Sequence, residues 1–216
     1  MGRRYLVKEV FYTLQGEGAH AGRPAVFCRF SLCNLWTGRE EDRARAVCTF
    51  CDTDFVGQDG PGGGQFETAS ELADAVARKW PNDKNPRHHR ERMVVLTGGE
   101  PLLQVDEALI KALKARGFYV AVETNGTIVP PLGLDWICVS PKARTQLQLT
   151  SGDELKLVYP QSDNHPADFA HLDFGIFSLQ PLDTDDIDHI PGVLRYCLKH
   201  PQWRLSLQTH KIVGIS

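Results

Sequence analysis

The sequence predicts an α/β fold, a partial (incomplete) β/α barrel of about six parallel strands with few helices, and three observations lead there. Short apolar or alternating runs recur along the chain, only three stretches carry helical periodicity, and polar motifs fall just after the strand-like runs. Parallel strands need long crossover connections, and parallel sheets gather ligands at the carboxyl ends of their strands.

The strand-like runs are Ala25–Phe30, Met93–Leu96, Phe118–Val122, Trp136–Val139, Glu154–Tyr159, Gly175–Leu179 and Arg204–Gln208. Helical spacing marks Ser70–Trp80, Val105–Arg116 and Asp186–Lys199, and Thr68 with Glu71 can form a capping box ahead of the first. The connections from Asn125 to Leu134 and from Ala143 to Asp153 are too short or irregular for a full helix, which disfavours a closed eightfold barrel. Gly57 to Gly64 reads as a glycine- and proline-rich loop, and Asn34 to Val47 as a charged, partly helical insertion. One domain over residues 1–216 is expected.

A chain of 216 residues with 42% hydrophobic and 24% charged residues can bury a substantial core. Its net charge of −3 offers no broad cationic face, so a nucleic-acid footprint is not expected and a small ligand is. Charges at Lys8 and Glu9 interrupt the N-terminal apolar run, and no stretch approaches the roughly 20 apolar residues of a membrane helix. No membrane association and a cytoplasmic location are expected.

Six cysteines are too sparse for a secreted disulfide scaffold, and three of them cluster as Cys33, Cys48 and Cys51, C-x14-C-x2-C, after the first strand-like run. Three thiolates suit an iron-sulfur cube with one iron left open, or a zinc site completed by His20, Cys28 or a distant histidine. Cys28, Cys138 and Cys197 lie in apolar patterns and read as structural; His88 and His89 read as solvated loop residues. In Thr97-Gly98-Gly99-Glu100-Pro101 the glycines allow close backbone approach and Glu100 can pair with an ammonium group. Ser140-Pro141-Lys142 and Gln180-Pro181-Leu182-Asp183 end two further strands with donors and acceptors. Leu14-Gln15-Gly16-Glu17-Gly18 is a glycine-rich turn before Ala25–Phe30. Alternation in that strand puts Val26, Cys28 and Phe30 on one face and Phe27 and Arg29 on the other. Arg29 then needs an anionic partner, a bound carboxylate or a structural salt bridge.

With these residues in view, the chain resembles the radical S-adenosylmethionine superfamily, whose usual cysteine motif has a shorter first gap. FYTLQGEG, CNLW, CDTDF, TGGEPLLQ, ETNG, SPK and QTHK together resemble the 7-carboxy-7-deazaguanine synthase family over nearly the whole chain. The resemblance implies a [4Fe-4S] cluster on Cys33, Cys48 and Cys51 and S-adenosylmethionine on Gly98, Gly99, Glu100, Ser140, Pro141, Lys142, Gln180, Pro181, Leu182 and Asp183. It implies a pterin on Leu14, Gln15, Gly16, Glu17, Arg29, Thr97, His210 and Ser216, and Mg²⁺ on Thr53. The implied reaction is radical ring contraction of 6-carboxy-5,6,7,8-tetrahydropterin to 7-carboxy-7-deazaguanine with loss of ammonia, in queuosine biosynthesis, by a homodimer served by an electron donor. No separate acid or base is singled out. The rivals are a glycyl-radical activating enzyme and a non-catalytic zinc-binding protein.

Overall fold

The computed structural model describes residues 4–81, 92–184 and 186–215; His88, His89 and Ser216 lie outside them. Nine strands are described: β1 (Tyr5–Leu14), β2 (Pro24–Phe30), β3 (Gly64–Phe66), β4 (Met93–Gly98), β5 (Tyr119–Thr124), β6 (Trp136–Val139), β7 (Ser151–Tyr159), β8 (Asp173–Pro181) and β9 (Trp203–Leu205). They form one open sheet in the order β3-β1-β2-β4-β5-β6-β7-β8-β9. From β2 through β9 every neighbouring pair is parallel, whereas β1 runs antiparallel to both β2 and β3. The parallel part has seven strands where about six were expected, and the chain is an α/β partial barrel.

Side-chain alternation divides this sheet into two chemically different faces. On one, Val26, Cys28, Phe30, Val94, Leu96, Val120, Val122, Leu155 and Leu157 pack with Leu72, Val76, Leu109 and Leu113 of the helices in the main core. Each such side chain contributes about 1.5–3 kcal/mol by leaving water. The other face is apolar only at the amino ends of its strands, where Ala25, Met93, Val95 and Ala121 cluster. Further along the same alternation come Arg29, Thr97, Glu123, Lys156 and Gln180, a polar interior.

The helices are α1 (Ala69–Lys79), α2 (Glu107–Ala115), α3 (Pro166–Phe169), α4 (Ile190–Lys199) and α5 (Thr209–Val213). The expected capping box closes α1: Glu71 N donates to Thr68 Oγ1 at 3.2 Å and Thr68 N to the Glu71 carboxylate at 3.1 Å. α2 begins later than its periodicity indicated because Asp106 accepts from Leu109 N at 2.9 Å and so marks the cap; a 3-10 turn, Pro101–Leu103, precedes it. α4 starts at Ile190 rather than Asp186, with Asp188 accepting from Ile190 N at 2.9 Å. The expected strand Arg204–Gln208 ends at Leu205, and Thr209–Val213 is helical.

Two strands were not expected. Tyr5–Leu14 is not among the strand-like runs, yet it forms β1, whose register shifts between Val7 and Glu9; this bulge breaks the period of two that a strand shows in sequence. Part of the expected Gly57–Gly64 loop borders β3, which pairs with β1. Leu14 therefore ends a strand instead of only preceding one.

After β1 the chain passes beneath the barrel interior. Gly18 N donates to Ser206 Oγ at 2.8 Å and Ala19 N to both oxygens of buried Glu154 at 3.1 Å. His20 sits edge-on to Trp136 at 4.3 Å. This 3-10 turn, Gly18–His20, fills the amino-terminal end of the interior and leaves the carboxyl end open.

Candidate active site

Cys33, Cys48 and Cys51 line one wall of a cleft at the carboxyl ends of the strands, with Thr97, Gly98, Gly99, Ser140, Lys142, Gln180, Pro181, Leu182 and Asp183 around it. Burial raises the thiols of Cys33 and Cys48; Lys142 opposes this at Cys48, and Leu35 N donates to Cys33 Sγ at 3.4 Å. Among the described residues no three His, Cys, Asp or Glu side chains converge on a position for one ion.

The glycine pair lets two turns meet. A Cβ on Gly99 would collide with the Leu32 carbonyl, next to Cys33, so the cysteine loop and this turn approach at backbone distance. Glu100 lies below the cleft wall, fully buried: it accepts from Thr124 Oγ1 and Asn125 N at 2.8 Å each and from Leu102 N at 3.0 Å. Burial raises its pKa against those donors. Its carboxylate thus binds the ETNG turn to the glycine turn, and Asn125 Nδ2 reaches Asn34 Oδ1 at 3.0 Å beyond the first cysteine. Pro141 is buried behind the rim, its carbonyl accepting from Gln161 at 3.3 Å, while Lys142 Nζ folds onto Ser140 Oγ at 2.7 Å.

A second cavity adjoins the first and shares Glu17, Asp52, Thr53, Thr97, Glu123 and Gln208 with it. Leu14, Gln15, Gly16, Arg29 and His210 line it. Arg29 faces inward and its Nε pairs with Glu9 at 2.7 Å, so the structural salt bridge weighed from sequence exists; it engages Nε on one side of a guanidinium that also borders the cavity. Thr53 borders both cavities, and the flanking Asp52 and Asp54 are held by Lys211 at 2.7 Å and Lys8 at 2.9 Å.

Between the cavities lies a buried ionic network. Lys156 Nζ donates to Glu17 at 2.6 Å and to Glu123 at 2.9 Å; Gln15 donates to Glu123 at 3.1 Å, and Gln180 and Gln208 each donate to Glu17 at 3.1 Å. Burial opposes the charge on Glu17, but Lys156 and the Gln208 hydrogen bond lower its pKa to about 2. Burial and the neighbouring Glu17 push Glu123 the other way, and the two carboxylates hold Lys156 protonated despite its burial. Two carboxylates with environments that separate their proton affinities offer one fixed acceptor and one group able to hold a proton.

The C-terminal segment folds back over this network. Thr209 N donates to Gly16 O at 2.9 Å, and a Cβ on Gly16 would strike the His210 imidazole. Lys211 bridges Asp52 of the cysteine loop and Asp183 after β8, at 2.7 and 2.6 Å.

Over 212 residues the chain is 63% identical to the 7-carboxy-7-deazaguanine synthase of Bordetella pertussis, covering 98% of this chain and 99% of that one. The chain belongs to the 7-carboxy-7-deazaguanine synthase family. The synthase of Caulobacter vibrioides is 61% identical over the same share of both chains. The crystal structure of QueE from Escherichia coli superposes with a TM-score of 0.70 at 26% identity, over 96% of this chain and 95% of that one. No family model matches.

Within this family member, sequence reading passed over Lys156, Gln208 and Asp52. Lys156 had a visible signal: Glu154 and Lys156 alternate with Leu155 and Leu157 in one strand, so both charges must face a common polar space. Gln208 and Asp52 carried none, because their partnership joins residues 156 positions apart.

Proposed function

We propose that the joined cavities bind S-adenosylmethionine beside a [4Fe-4S] cluster and a carboxylated tetrahydropterin beyond it, and that the chain performs the ring contraction to 7-carboxy-7-deazaguanine with loss of ammonia. The continuity of the two cavities carries this reading: the cysteine wall opens into one and Arg29 into the other, with Thr97, Glu123 and Thr53 common to both. Held by Cys33, Cys48 and Cys51, the cluster supplies reductive cleavage of S-adenosylmethionine.

The chain's own residues bind, orient and exclude water. Gly98 and Gly99 open the wall to close approach, while Ser140, Lys142, Leu182 and Asp183 supply the polar rim for the cofactor's ribose, adenine and carboxylate. Glu100 acts through the turn that it anchors, since its carboxylate is committed to Thr124 and Asn125. Arg29 receives the pterin carboxylate, and Gln15, Glu17 and Glu123 face its amide and amino edge as acceptors and donors. Thr53 offers one oxygen to Mg²⁺, which keeps several waters and takes further oxygens from substrate. The C-terminal segment, through Gln208 and His210, covers the second cavity and restricts water. No described helix is long and apolar enough to cross a membrane; a cytoplasmic homodimer with a separate electron donor completes the reading.

The test is anaerobic reconstitution of the cluster, followed by addition of reductant, S-adenosylmethionine, Mg²⁺ and 6-carboxy-5,6,7,8-tetrahydropterin, with products followed by mass spectrometry. Formation of the deazapurine is expected. Cofactor cleavage without deazapurine, from a protein with an intact cluster, would overturn the substrate assignment.

A further inference from the structure

The 14 residues between Cys33 and Cys48 contain a 3-10 turn, Glu40–Arg45, that carries two arginines in different circumstances. Arg45 is 82% exposed and pairs with Asp42 at its edge. Arg43 is folded inward: Nη1 donates to the Thr49 carbonyl at 2.9 Å and to the Cys51 carbonyl at 3.1 Å. Its Nε donates to both oxygens of Glu40 at 2.8 Å, and the guanidinium lies over the Trp36 ring at 4.2 Å. Trp36 is itself buried, edge-on to Phe55 at 5.7 Å, with Nε1 donating to the Arg39 carbonyl at 3.1 Å. The arginine is therefore fixed on four sides.

Residues 46–55, which include Cys48 and Cys51, belong to no helix or strand, so their carbonyls have no ladder of backbone donors. Arg43 supplies a donor to the carbonyl of Thr49, next to Cys48, and to the carbonyl of Cys51 itself. We infer that Arg43 is a positioning residue for the cysteine pair: its planar fork holds the Cys48–Cys51 turn in the shape that grips the cluster and sets a fixed positive charge beside it. The inference rests on the cluster reading above. A cluster on three thiolates gains negative charge on reduction, so an adjacent cation favours its reduced form. Glu40 pairs with Nε on the solvent side and offsets part of this charge, while Nη1 stays directed at the Thr49 and Cys51 carbonyls. Lysine would keep the charge but cannot serve two carbonyls while stacking on the indole.

The test compares full-length, anaerobically reconstituted Arg43→Gln, Arg43→Lys and Arg45→Gln with the parent. Iron release to a chelator is followed by absorbance, and the midpoint potential by titration with electron paramagnetic resonance. Arg43→Gln is expected to release iron about tenfold faster, the scale of losing charge-assisted hydrogen bonds. Its reduced-to-oxidised ratio at a fixed potential should fall about tenfold, 59 mV for a one-electron couple. Arg43→Lys should release iron as fast yet keep a parent-like potential, and Arg45→Gln should match the parent in both. Parent-like iron release in both Arg43 variants overturns the proposal, as does an equal change in Arg45→Gln. If Arg43→Gln takes up no cluster, Arg43→Lys decides alone: fast release supports the role and parent-like release overturns it. A parent chain that takes up no four-iron cluster defeats the cluster reading itself, and the proposal with it.

Discussion

Replacing Lys156 with methionine keeps most of the side-chain length and removes the cation shared by Glu17 and Glu123. Lys156 is the main reason that Glu17 stays ionised in a buried place, at about 2 against an ordinary 4.5. That difference, at about 1.4 kcal/mol per pH unit, corresponds to about 3 kcal/mol. Removing one partner of a buried ion pair costs about 3–5 kcal/mol by a separate route, so the two magnitudes agree. A chain of this size then loses roughly 6–12 °C in Tm. The sign with pH is also fixed. A carboxylate whose folded pKa lies below its unfolded value contributes stability above the unfolded value, lost as pH falls through the folded one. The parent should therefore weaken as pH falls from about 5 toward 2. In Lys156→Met, Glu17 is raised too and Glu123, already raised in the parent, is raised further, so stability should increase as pH falls from about 7 to 5. Urea unfolding of the cluster-free chain, followed by circular dichroism across that range, measures both. A loss under about 1 kcal/mol at pH 7 with the parent's pH slope would refute the assignment of Lys156 as the central charge.

Three further outcomes are expected. Cys48→Ala should abolish the brown cluster absorbance and turnover together, which ultraviolet-visible spectra and product analysis check. Arg29→Ala should keep the cluster but weaken pterin binding by 2–5 kcal/mol, on the order of 30-fold or more, and titration calorimetry with the carboxylated and decarboxylated pterins should show the loss only for the former. Gly16→Ala should push His210 and the C-terminal segment off the second cavity, raising KM while leaving iron content unchanged; an unaltered KM would show that the segment does not cover the substrate.

The E-L-K-L run of β7 shows how far a sequence can be read. Alternation there fixed that Glu154 and Lys156 share a face with water or with other polar groups. It could not name Glu17 and Glu123 as the partners of Lys156, because these lie 139 and 33 positions away and meet only when the turn after β1 enters the interior. Glu100 is a parallel case: the glycine pair before it was legible, but the burial of its carboxylate against Thr124 and Asn125 depends on β4 and β5 lying side by side.

By itself the sequence determined the alternating strands, the capping box of α1 and the inward direction of Arg29, because each depends on neighbours within a few residues, and the cysteine spacing, which is a count along the chain. The β1 bulge escaped it, since the extra residue erases the local period and only pairing with β2 reveals the strand. Tertiary structure alone decided that Arg29 shares its guanidinium with Glu9, that Lys156 unites two distant carboxylates, and that Arg43 grips the carbonyls at Thr49 and Cys51. Those contacts are hydrogen bonds and charges brought together by the folding of a single sheet, and the direction in which a polar side chain finds its partner is not written in the order of residues around it.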